Sequence, residues 1–174
     1  MKVPPAPKLR SWTRWAIVAG ILLLLVHHAQ RYALVVLPDS HREMLPAFRP
    51  GDRLVLYRHP GFSWRYKPGD VLWVQSLEKS SWMLARLVSQ DSGRFAIQDG
   101  KLMRDGRPVS GRNYVLPPGL NKEFAPLQPG QVFLVCDNQA ESTADDSLVR
   151  GAFATSEIEV DGKVFLNLSE DNKK

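Results

Sequence analysis

Side chains that could act as acids, bases or nucleophiles fall into three short stretches of the chain. In order, these are Ser40 and Glu43, then Lys79 and Ser81, then Cys136, Asp137, Asp146 and Ser147. A serine with a lysine base would support nucleophilic catalysis, whereas two facing carboxylates would support acid–base hydrolysis. Glu43 could form such a carboxylate pair with Asp137 or Asp146, but nothing in their spacing selects that pair.

The chain offers few other groups for catalysis or metal binding. Its one cysteine, Cys136, excludes an intramolecular disulfide and a cysteine-rich metal site, and its place after an apolar run predicts a packed residue. His27 and His28 border the N-terminal apolar segment, while His41 and His59 fall in predicted loops, so we expect no histidine base. No metal-ligand spacing is visible, and we expect no cofactor.

Several motifs follow one another in a fixed order along the chain. The first is Glu-Met-Leu-Pro-Ala-Phe-Arg-Pro-Gly-Asp-Arg-Leu-Val-Leu at 43–56, followed by Pro-Gly-Asp-Val at 68–71 and Leu-Ala-Arg-Leu-Val at 84–88. Phe-Leu-Val-Cys-Asp-Asn at 133–138 is continued by Ser-Thr-Ala-Asp-Asp-Ser at 142–147. Together these motifs resemble the boxes of the signal peptidase I family. In that family a Ser-Met-x-Pro-Thr box, a Gly-Asp-Val strand start, a lysine directly before an arginine, and a Gly-Asp-Asn box with Ser-x-Asp-Ser-Arg occur in this order.

This resemblance implies a mainly β fold of the LexA/signal peptidase type, with one N-terminal transmembrane helix and a serine nucleophile activated by a neutral lysine. The serine position corresponds to Glu43, and the lysine position corresponds to Ala85, directly before Arg86. A carboxylate cannot form the ordinary serine acyl-enzyme, and alanine has no group that accepts a proton. We therefore predict a degenerate dyad without catalytic activity.

The resemblance also implies a peptide groove around the degenerate dyad. Its predicted residues are Met44, Pro46, Arg86, Asp137, Asn138, Ser142, Asp146 and Ser147. We expect Arg86 to pair with Asp137 or Asp146 and to hold two loops together. The last box departs from the family pattern, since Cys136 replaces a glycine and Leu148 replaces an arginine.

Three other side chains lie near the two dyad positions in the sequence. Ser40 precedes Glu43 by three residues, and Lys79 and Ser81 precede Ala85. Each is a candidate for a displaced member of the dyad. A shift of three residues on a strand reverses the face, however, so we interpret them as loop or edge residues.

Short apolar runs between turn sequences predict the strands of the body. The runs are 53–57, 71–74, 82–88, 95–97, 131–135 and 162–168. Pro-Gly and Asp-Gly dipeptides separate them, which is typical of antiparallel hairpins, and the two Asp-Gly dipeptides at 99–100 and 105–106 predict a small meander. Residues 111–128 contain three prolines and predict an irregular loop, and no long helical pattern follows residue 37.

The N-terminal segment predicts a membrane anchor. Residues 15–26 are uninterrupted apolar, and we assign 15–31 to a transmembrane helix between a cytoplasmic N-terminus at 1–14 and an extracytoplasmic domain at 32–168. The apolar residues 32–37 are expected near the far membrane interface, and the polar tail at 169–174 is expected to be disordered. A cleaved signal is the alternative, but a small-x-small cleavage pattern is missing after the apolar run.

The charge pattern sets the predicted orientation and excludes one class of function. Residues 1–14 carry four basic residues and no acid, and only Arg31 follows the apolar run closely, which predicts a single-pass protein of the cell membrane with a cytoplasmic N-terminus. Residues 131–174 carry four basic and nine acidic residues, so the net charge of +5 is not spread along a phosphate-binding surface. We expect no nucleic-acid partner.

The sequence leaves an inactive and an active function open. The first is a membrane-tethered binding or assembly factor that takes an extended segment of a secreted preprotein or pilin as an added strand. Small dyad-less members of the family are similar to helper proteins for pilus assembly in Gram-positive bacteria, which implies a sortase as a further partner. The alternative is an active signal peptidase I, a serine-type endopeptidase that processes signal peptides with a displaced catalytic group. A self-cleaving repressor of related fold is a third possibility, but the anchor and the missing DNA-binding helices count against it.

Overall fold

Antiparallel strands form most of the structure beyond the N-terminal helix. The computed structural model describes residues 11–58, 66–76, 82–109, 114, 116–117, 119–140 and 145–169. The chain divides into two units, residues 1–32 and residues 33–174. The first unit contains the helix, and the second contains the sheets and the predicted site.

Helix α1 (Ser11–Ala29) is long and apolar enough to cross a membrane. Its 18-residue window Trp12–Ala29 has a mean hydropathy of 1.3, and the side chains of that window are not buried within the protein. At 1.5 Å per residue, a helix of 19 residues is about 28 Å long, close to the thickness of the hydrocarbon core of a bilayer. The helix begins before residue 15 and ends before Arg31, so its bounds differ from those of the predicted anchor.

A seven-stranded sheet lies at the centre of the second unit, within the part of the chain that the structure describes. Its strands are β1 (Tyr32–Val36), β2 (Arg53–Tyr57), β3 (Val71–Ser76), β4 (Trp82–Ser89), β9 (Gln131–Val135), β10 (Phe153–Ala154) and β11 (Ile158–Asn167). Their order is β1-β2-β11-β3-β4-β9-β10. Strand β4 lies between β3 and β9, and it carries two of the predicted site residues.

A smaller sheet is inserted between β4 and β9. Within the described residues it contains β5 (Phe95–Gln98), β6 (Lys101–Arg104), β7 (Arg107–Pro108) and β8 (Lys122–Glu123), in the order β7-β6-β5-β8. The two Asp-Gly turns join β5 to β6 and β6 to β7, with φ of 50° at both Asp99 and Asp105. These left-handed conformations suit the tight turns between twisted strands, and the predicted meander is confirmed.

The side chains of β4 alternate between two clusters of the core. Ala85 and Leu87 belong to a cluster that also contains Leu72, Leu134 and Cys136. Leu84 belongs to another cluster, together with Met44, Leu54, Leu56 and Trp73. Neighbouring positions on a strand point to opposite faces, and both clusters are buried. Strand β4 therefore separates the surroundings of Ala85 from those of Met44.

Most predicted strands are confirmed, and the differences have local causes. Residues 32–36, where no strand was predicted, form β1, because the sequence Tyr-Ala-Leu-Val-Val suits an extended chain that pairs with β2. The irregular loop predicted at 111–128 contains β8, and β11 begins at Ile158 and not at residue 162. Ser169, the first residue of the predicted tail, accepts a hydrogen bond from the Arg53 amide at 2.9 Å.

A short helix, α2 (Ser147–Arg150), was not predicted. The Asp146 side chain caps it by accepting a hydrogen bond from the Leu148 amide at 2.9 Å. Gly151 ends it with a φ of 94°, a conformation that glycine adopts without strain. At four residues the helix is too short to show the periodicity from which helices are predicted.

Candidate functional site

The loop between β1 and β2 places Glu43 and Met44 against the end of β9. The Leu37 amide bonds the Asp52 carbonyl at 2.8 Å and closes the base of the loop. Met44 is 1% exposed, and the Asp137 amide lies 3.5 Å from its Sδ atom. The Asn138 amide donates to the Glu43 carbonyl at 2.8 Å. Two backbone groups after β9 therefore fix this part of the loop.

The Glu43 carboxylate is buried and bonds the backbone of β4. Glu43 is only 5% exposed, and its Oε1 atom accepts a hydrogen bond from the Leu84 amide at 3.1 Å. Pro46 lies on the same loop but is exposed, after a cis peptide bond with Leu45. Of the two loop residues predicted to line the groove, Met44 is packed into the core and Pro46 faces solvent.

Ala85 lies one residue further along β4 and is fully buried. It packs in the cluster with Leu72, Leu87 and Cys136, which contains no amine or imidazole among the described residues. Lys79 and Ser81, the predicted candidates for a displaced dyad at this end of β4, lie outside the described residues. Position 85 thus contributes packing and no base.

A buried ion pair joins β4 to the segment after β9. The Arg86 Nε atom donates to Asp137 Oδ1 at 2.8 Å, and its Nη1 atom donates to the Gly69 carbonyl at 2.7 Å. The side chains are 3% and 11% exposed. Burial lowers the pKa of the Arg86 guanidinium, but the hydrogen bond and charge of Asp137 outweigh burial and raise it. The predicted pairing of Arg86 is thus found with Asp137.

Asp146 bonds backbone groups of its own. Its Oδ2 atom accepts from the Cys136 amide at 2.8 Å and also from the Gln139 side chain, while Oδ1 caps α2. Burial raises the pKa of the Asp146 carboxyl, although these hydrogen bonds oppose the shift. Asp146 therefore holds the end of β9 against α2.

Ser147 and Asn138 also bond the backbone around the end of β9. Ser147 is fully buried, and its Oγ atom accepts from the Leu134 amide at 2.9 Å. Asn138 is 7% exposed, and its Oδ1 atom accepts from the Ala140 amide at 3.2 Å. Ser142, another predicted groove residue, lies outside the described residues. The described residues of this box thus build the local structure.

The carboxylate pair left open by the sequence is not formed in the described structure. Glu43 bonds the Leu84 amide, Asp137 bonds Arg86, and Asp146 bonds the amides of Cys136 and Leu148. Each carboxylate thus has its own partners. Among the described residues, no group of three or more His, Cys, Asp or Glu side chains could hold a metal ion.

One histidine, His41, lies in the β1–β2 loop, where a loop was predicted, and its ring contacts the start of β4. The His41 Nε2 atom is 3.1 Å from the Trp82 carbonyl, and its Nδ1 atom is 3.2 Å from Ser40 Oγ. A carbonyl only accepts, so Nε2 is the donor in its hydrogen bond with the Trp82 carbonyl. The ring also lies 5.2 Å from that of Trp73. The position of His41 two residues before Glu43 was the one available signal.

An open cavity of about 430 Å³ lies beside Arg86, which forms part of its wall. Its walls come from the β1–β2 loop, the turn before β3 and the end of β11. They include Phe48, Gly69, Asp70, Arg86 and Phe165. Arg86 thus lines this cavity and also pairs with Asp137.

The fold and the site define a mainly β protein of the signal peptidase type behind an N-terminal apolar helix. No family model matches the chain. A protein of Synechocystis sp. described as a probable signal peptidase I-1 is 30% identical over 142 residues, which cover 77% of this chain and 70% of that protein. The chain belongs to the signal peptidase I family. Membership and the apolar helix together indicate a membrane-anchored protein.

Proposed function

We propose that this protein is a membrane-tethered member of the family that binds an extended peptide segment without cleaving it. The supporting observation is the state of the two dyad positions. Glu43 presents a carboxylate bonded to the backbone of β4, and Ala85 is buried among apolar side chains. A nucleophile and a base within hydrogen-bond reach are required for the family's chemistry, and these two residues supply neither.

The bound segment belongs to a secreted preprotein or a pilin, and the protein acts in its assembly, beside a sortase where pilins are polymerised. This part of the proposal rests on the resemblance of dyad-less members to pilus-assembly helpers of Gram-positive bacteria.

The orientation in the cell membrane is part of the same proposal. The basic residues Lys2, Lys8, Arg10 and Arg14 precede the apolar run, so the N-terminus lies in the cytoplasm and the β unit lies outside. Protease added to intact spheroplasts should remove a C-terminal tag and spare an N-terminal one. The reverse pattern would contradict this orientation.

A cleavage assay tests the central claim. The purified full-length protein is incubated with a secreted preprotein, and the products are separated by mass. We expect no cleavage above the level of buffer. Cleavage that disappears in Glu43→Ala would contradict the proposal, and cleavage that disappears in Ser40→Ala would assign the activity to the Ser40–His41 pair.

A genetic assay tests the assembly role. In a pilus-bearing source organism, deletion of the gene should abolish polymerised pili and leave the secretion of other proteins unchanged. Pili of normal length in the deletion strain would contradict a role in pilus assembly. A general defect in signal-peptide removal would instead contradict the non-cleaving role.

A further inference from the structure

Among the described residues, the first half of β4 has side chains along one edge and no neighbouring strand there. Pairing between β4 and β9 begins at Arg86, opposite Val135, and continues towards Ser89. After Val135 the chain turns to the β1–β2 loop, where the Asn138 amide bonds Glu43. The first half of β4, Trp82–Ala85, therefore extends beyond the end of β9.

The backbone N–H and C=O groups of Leu84 and Trp82 point to this edge, beyond the end of β9. Leu87 exchanges hydrogen bonds with the Gly69 amide and the Asp70 carbonyl on the β3 side. In an antiparallel strand the N–H and C=O of one residue point the same way, and those of alternate residues share an edge. Leu84 and Trp82 therefore turn their polar groups away from β3, towards the place that a further strand would occupy.

Three side chains bond three of these four groups. Glu43 Oε1 accepts from the Leu84 amide at 3.1 Å, the Cys136 Sγ atom lies 3.5 Å from the Leu84 carbonyl, and His41 Nε2 donates to the Trp82 carbonyl. The sheet edge is thus occupied by groups that imitate the hydrogen bonds of a strand. An uncapped edge of this kind is a template for pairing with another chain.

We propose that Glu43 and His41 form a displaceable cap, which closes this edge until an extended peptide replaces both side chains and adds to β4 as a strand. The inference rests on the proposed function and states how access to its peptide site is regulated. A peptide carbonyl would replace Glu43 on the Leu84 amide, and a peptide amide would replace His41 on the Trp82 carbonyl. The Leu84 carbonyl has two lone pairs and can accept a second hydrogen bond beside Cys136.

The backbone of the loop favours a cap that opens by side-chain rotation. The bonds that fix the loop involve the Glu43 carbonyl with Asn138 and the Met44 sulfur with Asp137, and neither involves the Glu43 carboxylate. A buried carboxylate that leaves its single described hydrogen bond regains hydration, so uncapping costs less than for a neutral side chain. The apparent affinity for peptide is proportional to the fraction of protein that is uncapped, so a closed cap weakens binding.

Peptide binding to the full-length protein in detergent micelles tests the cap. The probe is a fluorescein-labelled peptide with a small-x-small pattern, as at the end of a secretory signal, and the readout is fluorescence anisotropy. We expect Glu43→Ala to bind about tenfold more tightly than the wild type, because the Leu84 amide is uncovered. His41→Ala should bind a few-fold more tightly, because Trp82 is already partly exposed.

Two matched controls separate capping from charge. Glu43→Gln keeps an acceptor for the Leu84 amide and should bind within about twofold of the wild type. Glu159→Ala removes an exposed glutamate from β11 and should leave binding unchanged. A probe that is N-methylated at every amide of the pairing segment cannot donate to the strand edge from either side, and it should bind no variant.

The outcomes distinguish the two proposals. Wild-type binding that is unchanged in Glu43→Ala and His41→Ala would overturn the cap and leave the peptide-binding function in place. Absence of binding in every variant would overturn both. Hydrogen exchange at the Leu84 amide checks the fold, since it should be faster in Glu43→Ala than in the wild type and unchanged in Glu43→Gln. If Glu43→Ala does not fold, the tighter binding of His41→Ala carries the test.

Discussion

The two halves of β4 close the same sheet edge in different ways. From Arg86 onwards the strand pairs with β9, and the Arg86–Asp137 ion pair binds it to the following segment. From Trp82 to Leu84 the edge is covered by His41, Glu43 and Cys136. Backbone pairing cannot be removed without unfolding, whereas a side chain can rotate away. The first half of the strand is therefore the part that can exchange partners.

The buried carboxylates follow the same division. Asp146 accepts hydrogen bonds from two backbone amides and a glutamine, and Asp137 is paired with a guanidinium. Glu43 accepts one hydrogen bond from one amide among the described residues. A carboxylate with several donors is fixed, because each donor must be left unsatisfied when it moves. We infer that the aspartates hold the scaffold and that Glu43 does not.

The largest effect is expected when the ion pair is broken. Asp137→Ala leaves the Arg86 charge buried at 3% exposure without its partner, and we expect a loss of about 3–5 kcal/mol in the free energy of unfolding. The measurement is urea denaturation of the full-length protein in micelles, followed by tryptophan fluorescence.

The matched control is a second Arg–Asp pair at the surface. Arg58 is 50% exposed and bonds Asp161, which is 26% exposed, so Asp161→Ala should change the same quantity by no more than about 1 kcal/mol. Equal losses in the two variants would show that burial does not distinguish the pairs, and the comparison between the two halves of β4 would lose its basis.

Much of the scaffold could be predicted from sequence because its signals are local. The Asp-Gly turns and the short apolar runs fix the meander and most of the strands, and each depends on residues only a few positions apart. Arg86 was expected to pair with Asp137 or Asp146, and the choice of Asp137 required the structure.

The cap could not be predicted, because its contacts are distant in sequence. Glu43 and Leu84 are 41 positions apart, as are His41 and Trp82, and neither pair belongs to a periodic pattern. Helix α2 escaped prediction for a different reason, since a single turn depends on the Asp146 cap more than on its own residues. Strand β1 was not predicted as a strand, because a short apolar run fits both a sheet and a membrane interface.

A pH-dependent effect is expected at Asp146. Its pKa is raised from 3.8 by burial, so the folded state binds the proton more tightly than the unfolded state. Protonation of Asp146 therefore stabilises the folded protein. This contribution is complete below the pKa of Asp146 in the unfolded state, and it is lost as pH rises through its pKa in the folded state. Asp146→Asn cannot titrate, and we therefore expect it to be destabilised by about 2 kcal/mol near neutral pH through its lost acceptors, and by more in acid. Urea midpoints measured from about pH 3.5 to about pH 7.5, which covers the ordinary titration of carboxyl groups, give the comparison.

The neighbouring hydroxyl provides the control for this slope. Ser147→Ala leaves the buried Leu134 amide without its acceptor and should lose about 1–3 kcal/mol. Because the hydroxyl does not titrate, its deficit relative to the wild type should be the same at every pH. If the loss of stability in Asp146→Asn becomes smaller towards acid pH, the raised pKa of Asp146 is contradicted. The fold would then stabilise the ionised form of this carboxyl group.

The smallest effect on stability is expected for Glu43→Gln, because the fold depends less on this carboxylate than on those of Asp137 and Asp146. Glu43→Gln keeps an oxygen that can accept from the Leu84 amide, although a neutral amide forms a weaker hydrogen bond than a carboxylate. It also removes the cost of a buried charge, and the two changes in free energy offset each other. We expect the free energy of unfolding to stay within about 1 kcal/mol of the wild type, or to rise, in the same urea assay. A loss as large as that of Asp137→Ala would mean that the Glu43 charge holds the scaffold together. In that case the first half of β4 would be as fixed as the second, and a cap at this edge could not be displaced by a peptide.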